Sequence, residues 1–300
     1  MRRPTLSIAL RILSAAISPD CLLAEESAGE TRFEFADGLI WVEVTIPDRS
    51  ERLHFVFDTG AGATVLNLEV ARELGLSLGR AVHVQGTQGR ARAYRVDRFR
   101  GTLANAPLPK RVLAIDLDRV IQLCHRRIDG LIGADFLADR VVQLDFAART
   151  LRLDSAWKEI PAHGIAVRLE QRNDAWCVPA RVNGRSREWI RLDTGYDGAL
   201  CWWPGAADLT HSLEGRAMRV RTTGLSTTRS QPASTQPSNS ALAELHLSLG
   251  NTRMGTVQTA LLPRRLFAGE HGLLGNAMLS SFRVTIDVSH NRLVLERTAP

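Results

Sequence analysis

Asp58-Thr59-Gly60 returns as Asp193-Thr194-Gly195, 135 positions further on. Working outward from these triplets, the chain repeats itself. Trp41 stands 17 residues before Asp58, and Trp176 stands 17 before Asp193. Gly79-Arg80-Ala81-Val82-His83-Val84 is answered by Gly215-Arg216-Ala217-Met218-Arg219-Val220 at an offset of 136. Gly130-Leu131-Ile132-Gly133 is answered by Gly272-Leu273-Leu274-Gly275 at 142. At that offset Val141-Val142-Gln143-Leu144-Asp145 meets Arg283-Val284-Thr285-Ile286-Asp287, and Leu151-Arg152-Leu153 meets Leu293-Val294-Leu295. Landmarks in one order with a slowly growing offset mean two copies of one fold unit. The growth lies mainly in Ser226 to Ser240, whose Ser, Thr, Gln and Pro content predicts a surface loop. The expected division is one copy over 33–153, a linker over 154–164 and a second copy over 165–297.

Each copy reads as strands. Trp41 to Ile46 and Leu53 to Phe57 are rich in β-branched and aromatic residues, with Pro47-Asp48-Arg49-Ser50 as the turn. Val178 to Val182 and Trp189 to Leu192 repeat this around Asn183-Gly184. Ala81 to Val84 and Arg92 to Val96 predict a hairpin whose tip holds Gly86 and Gly89. Leu68 to Leu74, ended by Gly75, predicts a short helix. The fold class is all-β, in two pseudo-symmetric lobes with a few short helices.

Three hundred residues with 44% hydrophobic and 23% charged content can bury a sizeable core. No run of 18 apolar residues is present, so no conventional membrane-spanning helix is expected. The net charge of +6 comes from 36 Arg and 2 Lys, and the arginines are scattered among acids. With 6% aromatic residues as well, nucleic-acid binding is not expected. Four cysteines without a CxxC pair and eight His without HExxH spacing leave no metal site or disulfide framework to expect. Arg2-Arg3, the apolar stretch Leu6 to Ile17 and Leu22-Leu23-Ala24 have the shape of a signal peptide cut after Ala24. The expectation is export, to the periplasm; if the stretch is not a signal, the other reading is a cytoplasmic protein with a frayed N-terminus.

Phe55-Val56-Phe57 and Trp189-Ile190 carry Asp58 and Asp193 into low-dielectric surroundings. A carboxylate there is costly unless it is hydrogen-bonded or shares a proton. Asp-x-Gly is also ordinary turn chemistry. Average composition, however, gives only about 0.05 Asp-Thr-Gly triplets in a chain of this length. Two copies related by a pseudo-two-fold axis can bring equivalent residues together on that axis. Two carboxylates about 3 Å apart cannot both ionise, so such a pair holds one proton. Its charged member can act as general base on a water, and its protonated member can donate to a carbonyl oxygen.

On these residues the chain resembles the aspartic protease superfamily. The first copy, with Phe57-Asp58-Thr59-Gly60-Ala61 and Leu131-Ile132-Gly133, is most similar to retropepsin-like bacterial proteases. Two lobes in one chain are similar to pepsins. The resemblance spans roughly 33–297. It implies acid-protease lobes, each a closed or partly open β-barrel, in a monomer acting on peptide or protein without a cofactor. It implies Asp58 and Asp193 as the catalytic dyad. Thr59 and Thr194 would bond across between the dyad loops, and Gly60 and Gly195 would let backbone approach the carboxylates. Leu131-Ile132-Gly133 and Leu273-Leu274-Gly275 would support the loops from behind. The Gly86 to Gly89 tip would be a flap, with Thr222 to Leu225 as its weaker counterpart.

There are departures. Ala61 and Tyr196 stand where pepsins carry Ser or Thr. Asp197 stands where retroviral relatives place an acid on substrate main chain, while its first-copy counterpart is Gly62; an Asx-type turn before Gly198 is the other reading. Cys177 and Cys201 align with Val42 and Leu66 and read as small core hydrophobes. Cys124-His125 has no matching ligands, Trp202-Trp203 reads as packing, and the repeated Asp145 and Asp287 read as structural. The leading expectation is an aspartic endopeptidase. The rival is a pepsin-like module that grips peptide without cutting it.

Overall fold

The computed structural model describes residues 29–124, 126–154, 163–205, 218–220, 228–229 and 240–297. The expected signal peptide, most of the 154–164 linker, His125, Thr222 to Leu225 and nearly all of Ser226 to Ser240 lie outside the described residues. Among the described residues, no helix is long and apolar enough to cross a membrane.

The first half contributes β1 (Gly29–Arg32), β2 (Glu34–Ala36), β3 (Leu39–Val44), β4 (Leu53–Phe57), β5 (Val65–Asn67), α1 (Leu68–Glu73) and β6 (Leu78–Val96). It continues with β7 (Thr102–Leu103), β8 (Ala106–Pro107), β9 (Val112–Ile115), α2 (Asp118–Cys124), β10 (Gly130–Ile132), β11 (Val141–Asp145) and β12 (Thr150–Asp154). The second half gives β13 (Ile165–Arg168), β14 (Glu170–Arg172), β15 (Ala175–Val182), β16 (Glu188–Leu192), β17 (Leu200–Trp202), β18 (Met218–Val220) and β19 (Thr228–Arg229). It ends with β20 (Ser240–Leu249), β21 (Thr252–Leu261), β22 (Gly272–Leu274), α3 (Asn276–Leu279), β23 (Phe282–Asp287) and β24 (Arg292–Arg297). The protein is all-β with short helices, as its alternation of β-branched runs and turns predicts. Helix α1 is capped by Asn67, whose side chain accepts from the Glu69 N–H at 3.1 Å, and it stops at Gly75 with φ +67°.

In the second half β15, β16, β22, β17, β21 and β20 pair in that order, and β20 returns to β15 to close a six-stranded barrel. The first half runs β3, β4, β10, β5, β9, β6 in the same way. There the gap is closed by one bridge, in which Thr45 and Thr102 exchange backbone bonds of 3.0 and 2.9 Å. A third sheet joins the halves in the order β1, β12, β11, β23, β24, β13. At its centre Gln143 faces Thr285, and each is the other's repeat equivalent. The pseudo-two-fold axis therefore passes between β11 and β23. Asp145 and Asp287 accept from the N–H three residues on, Ala148 and His290, at 2.8 and 3.1 Å. Both are turn formers that also hold arginines, Arg283 and Arg292.

Strand register corrects the repeat alignment at two places. Val56 faces Trp41 on β3, but its equivalent Arg191 faces Cys177 on β15. The structural counterpart of Trp41 is thus Cys177, and the repeated tryptophans are not equivalent. Likewise Leu131 faces Val65 while Leu273 faces Cys201, so Cys201 answers Val65 and not Leu66. One residue of slip in each strand leaves the dyad strands untouched. Both cysteines are buried in the core, and burial pushes their thiols well above the ordinary range.

Candidate active site

Strand β4 runs parallel to β10 and β16 parallel to β22. As each chain leaves its strand, the aspartate N–H still reaches the neighbour: Asp58 to the Ile132 carbonyl and Asp193 to the Leu274 carbonyl, both at 2.9 Å. These bonds fix where the two loops begin. Gly133 and Gly275 lie directly behind the loops, where a Cβ would run into the Ala63 backbone or into Gly198 and Tyr196.

The two threonines then lock the loops together. The Thr59 N–H donates to Thr194 Oγ1 at 3.0 Å, and the Thr194 N–H donates to Thr59 Oγ1 at 3.1 Å. Thr59 Oγ1 donates on to the Leu192 carbonyl at 2.8 Å and Thr194 Oγ1 to the Phe57 carbonyl at 2.6 Å. Every group in this buried ring has a partner, and each half supplies half of it.

Both aspartates are wholly buried. Asp58 Oδ1 accepts from the Gly60 and Ala61 N–H groups at 3.0 and 3.1 Å; Asp193 Oδ1 accepts from the Gly195 N–H at 2.9 Å. A Cβ on Gly60 would collide with the Asp193 carboxyl, and a Cβ on Gly195 with the Asp58 carboxyl. Each glycine therefore lets its loop lie against the other half's acid, and the two carboxyls meet. Asp58 Oδ2 is buried with no hydrogen-bond donor. Burial pushes the Asp58 pKa well above the ordinary carboxylate range, and repulsion from Asp193 adds to this; the Ala61 and Gly60 N–H groups oppose it.

Tyr196 is buried with its hydroxyl turned to the Leu200 carbonyl, 3.5 Å away, and beside Gly198. Glycines at 198 and 275 make room for the ring, so its bulk does not displace the second loop. Asp197 packs on the opposite half's β2–β3 turn, where a Cβ on Gly38 would lie 2.7 Å from its own Cβ. Gly62 meets Asp174 of the β14–β15 turn in the corresponding way, at 2.8 Å.

Strand β6 is a hairpin in one run. Gly79 lies against Arg95, with a Cβ there 3.1 Å from the Arg95 carbonyl oxygen. A straight strand would hold these residues about 50 Å apart. The segment thus doubles back near residue 87, between Gly86 and Gly89. Strand β19 pairs in parallel with Thr87, Gln88 and Gly89 at that tip. Trp202 is core, its indole N–H on Glu188 at 2.6 Å. Cys124 is half-buried, its thiol pushed up to about 11 by burial first and then by Asp37 and Asp197. No group of His, Cys, Asp and Glu among the described residues could hold a metal ion.

The sequence reading missed Arg191. Its guanidinium is buried, pairs with Glu270 and donates to the Gly60 carbonyl at 2.8 Å. The available signal was a charge between Ile190 and Leu192, where the first copy has Val56.

Residues 42–136 match the family described as aspartyl protease. The match runs from β3 through Asp58 to Phe136, just behind the first dyad loop. Through this lobe the chain is similar to aspartyl proteases of the retropepsin-like superfamily. A search of curated proteins finds no match for it.

Proposed function

We propose that the protein is an aspartic endopeptidase that hydrolyses peptide bonds with a water activated between Asp58 and Asp193. The observation that carries this is the reciprocal packing of Gly60 and Gly195 on the opposite carboxyls, which sets two wholly buried acids against each other. Two such acids share one proton. The charged carboxylate takes a proton from water, and the hydroxide adds to the scissile carbonyl carbon while the neutral carboxyl donates to the carbonyl oxygen. The tetrahedral diol then collapses, the C–N bond breaks and a proton passes to the leaving nitrogen. The β6 tip is the flap, and Asp197 is a substrate-contact candidate at the cleft margin. One chain supplies both halves, so a monomer is competent. Export to the periplasm fits the form of the N-terminus.

The experiment is cleavage of a peptide library by the purified chain, with and without a statine-type inhibitor, beside Asp58→Asn. Inhibitable cleavage lost in the variant is the expected result. Peptide binding without cleavage by the wild type would make it a silent module.

A further inference from the structure

Arg191 sits on β16, two residues before Asp193, at a position where a side chain points into the lobe. Its Nε and one terminal nitrogen donate to the two oxygens of Glu270, at 2.7 Å each. Asn173 Nδ2 holds Glu270 Oε1 at 2.6 Å. The Phe267 ring covers the guanidinium, 3.6 Å from Cζ to the centroid. Arg191 and Glu270 side chains are 3% and 1% exposed, so water screens neither.

The first lobe solves the same space differently. His271 donates to the Trp189 carbonyl just as Asp129 donates to the His54 carbonyl, both at 2.8 Å. That register makes Ile128 the counterpart of Glu270 and Val56 the counterpart of Arg191. Val56 and Ile128 are fully buried and belong to one apolar cluster. Hydrocarbon is therefore adequate here for packing, and a buried ion pair is a poor route to stability, because desolvation offsets the attraction. What the pair adds is a third guanidinium donor, and it is aimed across the lobe boundary. It reaches the carbonyl of Gly60, whose N–H binds Asp58 Oδ1 and whose Cα lies on the Asp193 carboxyl.

We infer that Arg191, braced by Glu270 and Asn173, is a positioning residue that fixes the Gly60 peptide and so sets the Asp58 loop against Asp193. The inference rests on the proposed dyad. Its geometric half, the tether, can be judged without turnover.

The test is the double variant R191V/E270I, which copies the first lobe's solution and leaves no uncompensated charge. Amide exchange is read at Gly60 and Ala61, and kcat and KM are measured on one peptide. The tether predicts faster exchange at those two amides, with exchange in β23 and β24 unchanged. It predicts kcat lower by about 10- to 100-fold, the scale of a misplaced reacting group, with KM within about twofold. Unchanged exchange, or unchanged kcat with faster exchange, overturns the inference. If the double variant does not fold, R191K replaces it. An ammonium keeps the charge but cannot hold a carboxylate by a planar fork while reaching Gly60, so the same loss of kcat is expected. Wild-type levels of both exchange and kcat in R191K then overturn the inference. Absence of wild-type turnover would count against the endopeptidase reading instead, and exchange alone would then decide the tether.

Discussion

The two lobes present the same dyad loop and brace it by different chemistry. In the first lobe the brace is internal. Thr64 donates through its N–H and hydroxyl to Asp135 Oδ1 at 2.8 and 2.7 Å, and Thr64 Oγ1 accepts from the Gly133 N–H at 3.2 Å. The second lobe has Ala277 at the equivalent of Asp135 and Asn276 at that of Ala134. Its braces reach across as well: Asn276 Nδ2 holds the Thr194 carbonyl of its own loop and donates across to the Gly38 carbonyl, at 2.7 Å each, and Arg191 donates across to Gly60. In a homodimer every interface contact occurs twice, because the two surfaces are identical. Fusion of the copies removes that constraint. One lobe can then become the clamp and the other the clamped part, while the dyad and its threonine ring stay symmetric.

The comparison breaks first if the dyad is not shared. Asp58→Asn and Asp193→Asn should each lower kcat by about 100-fold or more, since each removes one member of a unit. More than about a tenth of wild-type kcat in either variant would show that the two acids act separately. Stability should move the other way in Asp58→Asn. The folded pKa of Asp58 is raised, whereas the unfolded carboxyl titrates near ~3.9. The folded state therefore binds the proton more tightly, and this group's contribution is fully present below about pH 4 and lost as pH rises through the folded value. Asp58→Asn should melt above the wild type at neutral pH, and the gap should close in acid.

The threonine ring sharpens the symmetric part. Thr59→Val and Thr194→Val each strand a buried N–H and a buried carbonyl, at a cost of about 1–3 kcal/mol per unsatisfied group. Urea unfolding should give nearly equal losses for the two. A difference as large as the losses themselves would show that the ring is not shared evenly.

The asymmetric braces should give smaller, lobe-specific effects. Asp135→Ala gives the first lobe the second lobe's residue and leaves two Thr64 donors without their acceptor. A loss of about 1–2 kcal/mol is expected. Amide exchange should rise at Thr64 and Gly133 but not at Gly195. Exchange that rises equally in both dyad loops would mean that the braces are coupled.

Much of this was legible because a repeat marks equivalent positions by identity alone. Two Asp-Thr-Gly triplets and two apolar-apolar-Gly triplets located the dyad, its supports and the axis. What identity cannot fix is register. Trp41 and Trp176 look equivalent at an equal distance from the triplets, yet one residue of slip on β15 puts Cys177 opposite Arg191. Partners far apart in sequence were equally hidden. Glu270 stands 79 residues from Arg191, and Gly60 stands 131 away in the other lobe. A lone charge in an apolar strand announces that a partner exists, but only the folded chain says which. The room for Tyr196 was hidden for a related reason: its ring packs on Gly198 and Gly275, the second of which comes from another part of the chain.

The smallest predicted effect concerns how the dyad is tuned to pH. Its members differ in the residue after the triplet, and neither residue supplies a side-chain hydroxyl to its carboxylate in the described contacts. Ala61 gives Asp58 only its N–H, at 3.1 Å, and the Tyr196 hydroxyl is directed to Leu200. A donor to the charged form would lower the pair's apparent pKa values, and its lack leaves them high. The raised pKa of Asp58 has the same direction. Activity should therefore extend from mildly acidic to near-neutral pH. Ala61→Ser places a hydroxyl beside an oxygen that Ala61 already touches through its backbone. One hydrogen bond to a charged group corresponds to a downward shift of about one pH unit in the acid limb of kcat/KM. A second-lobe hydroxyl at 196 should do less, because Tyr196→Ser also empties the space the ring fills between Gly198 and Gly275. The measurement is a kcat/KM profile on one soluble peptide for the wild type and both variants. A wild-type optimum near pH 2 to 3 would contradict the raised pKa of Asp58, and an acid limb that stays put in Ala61→Ser would show that the residue at 61 does not tune the dyad.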